Sequence, residues 1–167
     1  EKIGVDFIVI PCNTVHLFIN EMRNSVNIPI FSIIEETEKK ITSKEIGIIC
    51  SETTNKMKLY KSTTVKIIYP NNSQQEILNN VIKNVISGKQ TRTGSESIYK
   101  ILKKFETSNV ILGCTELPLA INQEDTNINL LNTLEILAEA TVDFCKNNNF
   151  KKNDTKFNHS QKRFCNL

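Results

Sequence analysis

Short aliphatic runs alternate with longer amphipathic stretches along this chain, and each run gives way to small or polar residues. The first covers residues 4–10, after which Pro11-Cys12-Asn13-Thr14 leads the chain away. Similar runs occupy 45–50, 65–69 and 109–112, with shorter extended pieces at 30–32 and 129–131. Brief apolar segments bounded by turn chemistry read as buried parallel strands. Between them the apolar positions recur at helical spacing. Val15, Phe18, Ile19 and Met22 predict a helix over 14–25, with Asn13 or Thr14 as N-cap. Residues 35–43 and 56–62 predict short helices, with 51–54 a turn. Ile77, Leu78, Val81, Ile82 and Val85 line one face of a helix over 74–87, which Gly88 ends. Residues 70–73 and 91–95 are polar connectors, and 97–106 and 133–146 predict two further helices. Strands alternating with helices imply an α/β fold built on parallel sheet.

Composition narrows the class. At 167 residues, 39% of them hydrophobic, the chain can bury one real core. No apolar run reaches the roughly 18–20 residues of a membrane helix, and no signal peptide opens it, so a cytoplasmic setting is expected. The five cysteines are odd in number and widely spaced, which fits a reducing compartment better than a disulfide framework. The net charge of +3 is unevenly placed: residues 151–167 carry Lys151, Lys152, Lys156, Lys162 and Arg163 against Asp154. The body is therefore near neutral, with little reason to expect nucleic-acid binding. The segment after 150 reads as a disordered basic tail.

Candidate chemistry lies where strands end, since ligands of open α/β sheets sit beyond the carboxyl ends of the strands. Two cysteines fall there: Cys12 in Pro11-Cys12-Asn13-Thr14-Val15-His16, and Cys114 in Gly113-Cys114-Thr115-Glu116-Leu117-Pro118. An isolated free cysteine is usually a small buried hydrophobe. Two in matching settings, each beside hydroxyl or amide side chains, point instead to an acid–base pair. A thiol titrates near pH 8.5 unperturbed, and a helix N-terminus favours its thiolate. Cys50 also ends a strand, but Ser51-Glu52 follow it; Cys145 lies on a helix and Cys165 in the tail. Those three read as structural.

Taken together, the two motifs resemble the aspartate/glutamate racemase superfamily, most closely its aspartate racemase branch. Val26-Asn27-Ile28-Pro29-Ile30 and Ile33-Ile34-Glu35-Glu36-Thr37 extend the likeness, as do Gly88-Lys89 and Leu134-Glu135-Ile136-Leu137-Ala138 more weakly. The resemblance runs from about residue 3 to about residue 145. It implies two similar parallel-sheet halves with the active site between them: residues 1–29 and 127–150 in the first, 30–126 in the second. Members of that superfamily open upstream with a first strand and a glycine-rich loop, so an incomplete first half is expected. The implied activity is cofactor-independent racemisation of an amino acid, with Cys12 and Cys114 as the two bases and no metal. Asn13, Thr14 and Thr115 would contact the substrate's ammonium or α-carboxylate, and Thr54 aligns with a carboxylate-binding threonine. Glu116 would orient the amine or tune Cys114, and His16 matches the motif. Each has a plainer role as well: helix N-cap for Thr14, helix-terminus charge for Glu116, local hydrogen bonding for His16.

Three departures bear on substrate choice. Thr53 stands where the superfamily usually has glycine, Asn132 where it has aspartate, and the basic residue for a side-chain carboxylate belongs upstream of Glu1. The expected partner is a small-molecule amino acid, with a homodimer as the candidate assembly and neither membrane nor nucleic acid. Alternatives are a related isomerase of the same superfamily and a catalytically inactive racemase-like binding protein. A metal site from Cys12, His16 and Cys114 ranks last, because no fourth ligand has suitable spacing. Deleting residues 151–167 is expected to leave the thermal midpoint and any activity nearly unchanged; a large drop in the midpoint would mean that Phe157 and Phe164 dock on the body.

Overall fold

Parallel pairing organises every strand among the described residues, 1–89 and 91–147 of a computed structural model. β1 (Ile8–Ile10) pairs with β2 (Ile30–Ser32) in a two-stranded sheet. The second sheet has β3 (Glu45–Cys50), β4 (Lys66–Ile68), β5 (Asn109–Gly113) and β6 (Asn129–Asn132) in the order β4-β3-β5-β6. Helices supply the crossovers that parallel neighbours require: α1 (Ile19–Asn24), α2 (Ile33–Lys39), α3 (Glu52–Met57), α4 (Asn72–Ile86), α5 (Arg92–Leu102) and α6 (Thr133–Asn147). The α/β class is as the sequence implies.

The central strands are covered on both faces, which is why they are continuously apolar. Ile49, Val110 and Leu112 face Leu78, Val81, Ile98 and Leu102 of α4 and α5. Ile46, Ile48, Cys50 and Ile111 face Ile33 and Ile34 of α2, Ile136 and Leu137 of α6, and Tyr60. Phe7, Phe31 and Phe144 meet edge to face, with ring centroids 4.7–5.5 Å apart, fastening α6 to the two-stranded sheet. Strand pairing cuts across the division drawn from resemblance. β2 belongs with β1, whereas β6 bonds to β5 before α6 returns to α2 and the first sheet.

Element boundaries moved where a cap was hidden in polar sequence. The stretch 51–54 is the start of α3, because Ser51 Oγ accepts from the Thr54 amide at 3.3 Å. Thr53 therefore lies in a first helical turn and needs no glycine-like freedom. Thr91 caps α5 through the Gly94 amide at 3.2 Å, turning an expected connector into helix. Asn71 and Gln74 form a capping box that starts α4 earlier than its apolar face alone indicates. Residues 14–25 split into a 3-10 turn, Thr14–Phe18, and then α1, because Asn13 directs its amide inward instead of capping. α3 stops at Lys58, which adopts a left-handed conformation (φ 48°) with its ammonium 2.7 Å from Asn55 Oδ1 and 4.0 Å from the Tyr69 ring centre. The tail, Cys165 included, lies outside the described residues.

Gly113 pairs with Cys50 across β5 and β3. A Cβ at Gly113 would sit 2.9 Å from Ile48 Cδ1 and 3.0 Å from Cys50 Cβ, closer than packed carbons tolerate. Gly113→Ala is expected to destabilise by about 1–3 kcal/mol, the usual toll of overpacking. Gly94→Ala, where the nearest contact would be 3.5 Å, is expected not to destabilise. Thermal unfolding of the two variants checks the contrast.

Candidate active site

Cys12 follows β1 on an exposed loop held from three directions. His16 lies one helical turn on, its Nδ1 2.8 Å from the Cys12 carbonyl oxygen. A carbonyl only accepts, so Nδ1 carries the proton and Nε2 presents a lone pair. That Nε2 is buried without a hydrogen-bond partner among the described residues. Burial lowers the His16 pKa, with the Cys12 carbonyl and Glu35 acting the other way, so the ring is neutral near pH 7. Its direct contact is the Cys12 backbone. Thr14 Oγ1 lies 2.8 Å from Ser51 Oγ and 3.4 Å from Thr54 Oγ1, joining the loop to the N-terminus of α3 beyond β3.

Cys114 emerges from β5 and is buried. Its thiol donates to Glu116 Oε2 at 2.9 Å, and Thr115 Oγ1 donates to the same oxygen at 3.2 Å. Burial pushes the Cys114 thiol well above the ordinary range, and the Glu116 carboxylate raises it further. Cys114 is thus held as a protonated hydrogen-bond donor. Cys50, wholly buried behind it, is pushed up to about 12 by desolvation and makes an inert core thiol.

The two cysteine loops are joined through Asn13 and Thr133. Asn13 Nδ2 donates to Thr133 Oγ1 at 3.3 Å, and Thr133 Oγ1 donates to the Leu112 carbonyl at 2.9 Å, two residues before Cys114. Tyr60 completes the set by donating its hydroxyl to Asn13 Oδ1. Asn13 and Thr54, singled out for substrate contact, are both buried with side chains engaged by the protein. Thr14, Thr115 and Glu116 are partly exposed.

Ser51, Tyr60 and Thr133 went unnoticed in the sequence. Ser51 and Thr133 each directly follow a strand, so the strand-end rule that selected the cysteines reaches them too. Tyr60 carries no such signal, since its partner is 47 residues away. At Asn132, the side-chain oxygen accepts from the Leu134 amide at 3.2 Å, so asparagine caps α6 without a charge. Among the described residues no three His, Cys, Asp or Glu side chains cluster as metal ligands, and no helix is long and apolar enough to cross a membrane. Two surface depressions lie elsewhere, one beside Arg92, Tyr99 and Asp125, the other beside Lys58, Lys61 and Tyr69. Neither is lined by a cysteine.

The arrangement is that of a parallel α/β protein with one cysteine loop at a strand's carboxyl end in each of two sheets. The chain belongs to the Asp/Glu/hydantoin racemase family, whose model matches residues 1–141. It is 28% identical over 150 residues to the broad specificity amino-acid racemase RacX of Bacillus subtilis, covering 85% of this chain and 66% of RacX. It is 29% identical over 133 residues to the glutamate racemase of Aquifex pyrophilus, covering 70% of this chain and 48% of that enzyme. An aspartate racemase homologue from Pyrococcus horikoshii superposes with a TM-score of 0.77 at 27% identity, over 87% of this chain and 69% of that one. The aspartate racemase of Picrophilus torridus shares the fold (TM-score 0.70, 24% identity, 87% of this chain and 64% of that one). The chain thus spans about half to two thirds of the length of these curated relatives.

Two tests follow from the thiol environments. Removing the carboxylate in Glu116→Gln should lower the Cys114 pKa, so that iodoacetamide alkylates Cys114 faster than in the parent at the same alkaline pH, read by peptide mass spectrometry. For Cys50, both folded and unfolded states hold the proton below the ordinary thiol value. Between there and about 12 the unfolded state ionises first, so stability falls as pH rises. Cys50→Ala is expected to flatten that alkaline decline in the thermal midpoint, whatever it costs at neutral pH.

Proposed function

We propose that the protein is a cofactor-independent amino-acid racemase, acting on aspartate or a related acidic or polar amino acid, with Cys12 and Cys114 on opposite faces of the substrate's α-carbon. What chiefly supports this reading is the bridge from Asn13 through Thr133 to Leu112, which fixes the loop of one cysteine against the strand that delivers the other. Kinship with racemases that act on different amino acids supports the reaction class more than a particular substrate.

Inversion needs a base on one face of the α-carbon and an acid on the other. Burial and Glu116 keep Cys114 protonated, which fits it as the initial acid and leaves Cys12 as the base. The Cys12 thiolate takes the α-proton, and the electron pair left behind delocalises into the substrate carboxylate. The Cys114 proton is then delivered to the opposite face, so the product leaves Cys12 as thiol and Cys114 as thiolate. The reverse reaction starts from that state, with the roles exchanged. Thr14 and Thr115 serve as contacts for the substrate's charged groups; Asn13 and Thr54 act by holding the two loops. A second reading, a racemase-like binding protein without turnover, is favoured by the exposure of Cys12.

Incubation with L-aspartate and L-glutamate followed by chiral chromatography separates the readings: racemisation supports the first, while calorimetric binding without inversion supports the second. Cys12→Ser and Cys114→Ser are each expected to abolish racemisation, because a serine hydroxyl does not ionise near neutral pH. Each variant should still exchange the α-proton of one enantiomer in deuterated water, and the two should prefer opposite enantiomers. Substantial racemisation by either variant would overturn the two-base assignment. Cys50→Ser is expected to leave the reaction unaffected.

A further inference from the structure

The described residues contain a buried polar chain with no obvious reason to exist in an apolar core. Tyr60, Asn13 and Thr133 are 1%, 2% and 0% exposed. The Tyr60 hydroxyl donates to Asn13 Oδ1, the Asn13 amide donates to Thr133 Oγ1, and the Thr133 hydroxyl donates to the Leu112 carbonyl. Four sequence-distant segments meet in this one run, and every donor points the same way along it. Bonds aligned in this sense polarise one another, and a buried run of them is costly to leave half made. Tyr60 is itself fixed by Tyr69, whose hydroxyl accepts from the Tyr60 amide at 3.0 Å and donates to the Tyr60 carbonyl at 2.9 Å. Thr133 is fixed as the first residue of α6, directly after β6. Both ends of the chain are therefore rigid, and Asn13, next to Cys12, is suspended between them.

We infer that Tyr60 and Thr133 are positioning residues, which act through Asn13 to set the place of Cys12 relative to Cys114. This rests on the two-cysteine reading above. The other side-chain anchors of the Cys12 loop tie it to the Cys114 strand less directly. His16 bonds within the loop itself, and Thr14 reaches the α3 end of β3. The Asn13 to Thr133 bond is the one that leads to β5, the strand carrying Cys114. Proton transfer to and from a single carbon is steep in distance, and a displacement of about 1 Å can cost on the order of a hundredfold in rate. Thr133 also shows why a hydroxyl is required there. It accepts from Asn13 and donates to Leu112 at once, which valine, of nearly the same shape, cannot do.

The test uses the full chain and three substitutions, Thr133→Val, Thr133→Ser and Tyr60→Phe, each checked for a folded state by circular dichroism. The first readout needs no catalysis. Dibromobimane, a short reagent that links two nearby thiols, is applied, and the Cys12–Cys114 link is quantified by peptide mass spectrometry. The parent should form the link, and Thr133→Val and Tyr60→Phe should form it several-fold more slowly. Thr133→Ser should restore the rate, a rescue that loss of packing alone would not give. The second readout is kinetic. In Thr133→Val, kcat for racemisation should fall by about ten- to a hundredfold with KM little changed, and one-sided α-proton exchange should fall less than inversion does. If Thr133→Val fails to fold, Tyr60→Phe carries both readouts, because it keeps the ring. Linking at the parental rate in the folded variants, or no link in the parent, would overturn the inference. If the link behaves as expected but the parent does not racemise, or racemises equally well without either cysteine, the positioning role stands and the proposed function fails.

Discussion

The parallel pairing of β3 with β5 is the constraint on which the rest of the molecule depends. Its register sets Cys50 opposite Gly113, so that both strands release the chain at the same edge. Ser51 begins α3 there and Cys114 begins the second cysteine loop. Pairing of β5 with β6 sets Leu112 opposite Asn132 and so delivers Thr133 to that edge as well. Three strand ends therefore converge without any loop having to search for its place. The cost is borne at Gly113, where Ile48 and Cys50 of β3 leave no room for a side chain. The two-stranded sheet is positioned second, by α6 packing on α2 and by the Phe7, Phe31 and Phe144 contacts.

The two cysteines of the site differ in kind although their motifs look alike. Cys114 is enclosed and donates its proton to a carboxylate, whereas Cys12 stands on an exposed loop whose backbone is gripped from below. Burial holds the proton on Cys114, which in the proposed reading biases that residue toward the role of acid. Glu116 strengthens that bias by adding negative charge beside a thiol that is already poorly solvated.

Much of this was legible in the sequence, for definite physical reasons. Strands covered on both faces must be continuously apolar, so β3 and β5 stood out, and with them the polar residues that end them. Helix starts were harder, because Ser51 and Thr91 sit among other polar residues and only their bonds to Thr54 and Gly94 distinguish caps from connectors. Asn13 shows the opposite error. It is chemically suited to capping, yet a buried tyrosine and threonine compete for its amide more strongly than the first helical turn does. Tyr60 and Thr133 could not be paired with it on paper, since what joins them is the tertiary fold. Local chemistry is written in local sequence; the partner of a buried polar group is not.

Lys58 carries a consequence of its own. A lysine at φ 48° sits in a region that L-residues enter only at some strain, here offset by the Asn55 oxygen and the Tyr69 ring that receive its ammonium. Glycine at this position would relax the turn but would enlarge the unfolded ensemble and leave both recipients without their cation. The two effects oppose each other, so stability alone places little selective pressure on the choice. What lysine adds is a side chain that grips Tyr69, the residue that in turn clasps the backbone of Tyr60. Lys58, Tyr69, Tyr60 and Asn13 thus form one continuous run of contacts that ends at the loop bearing Cys12.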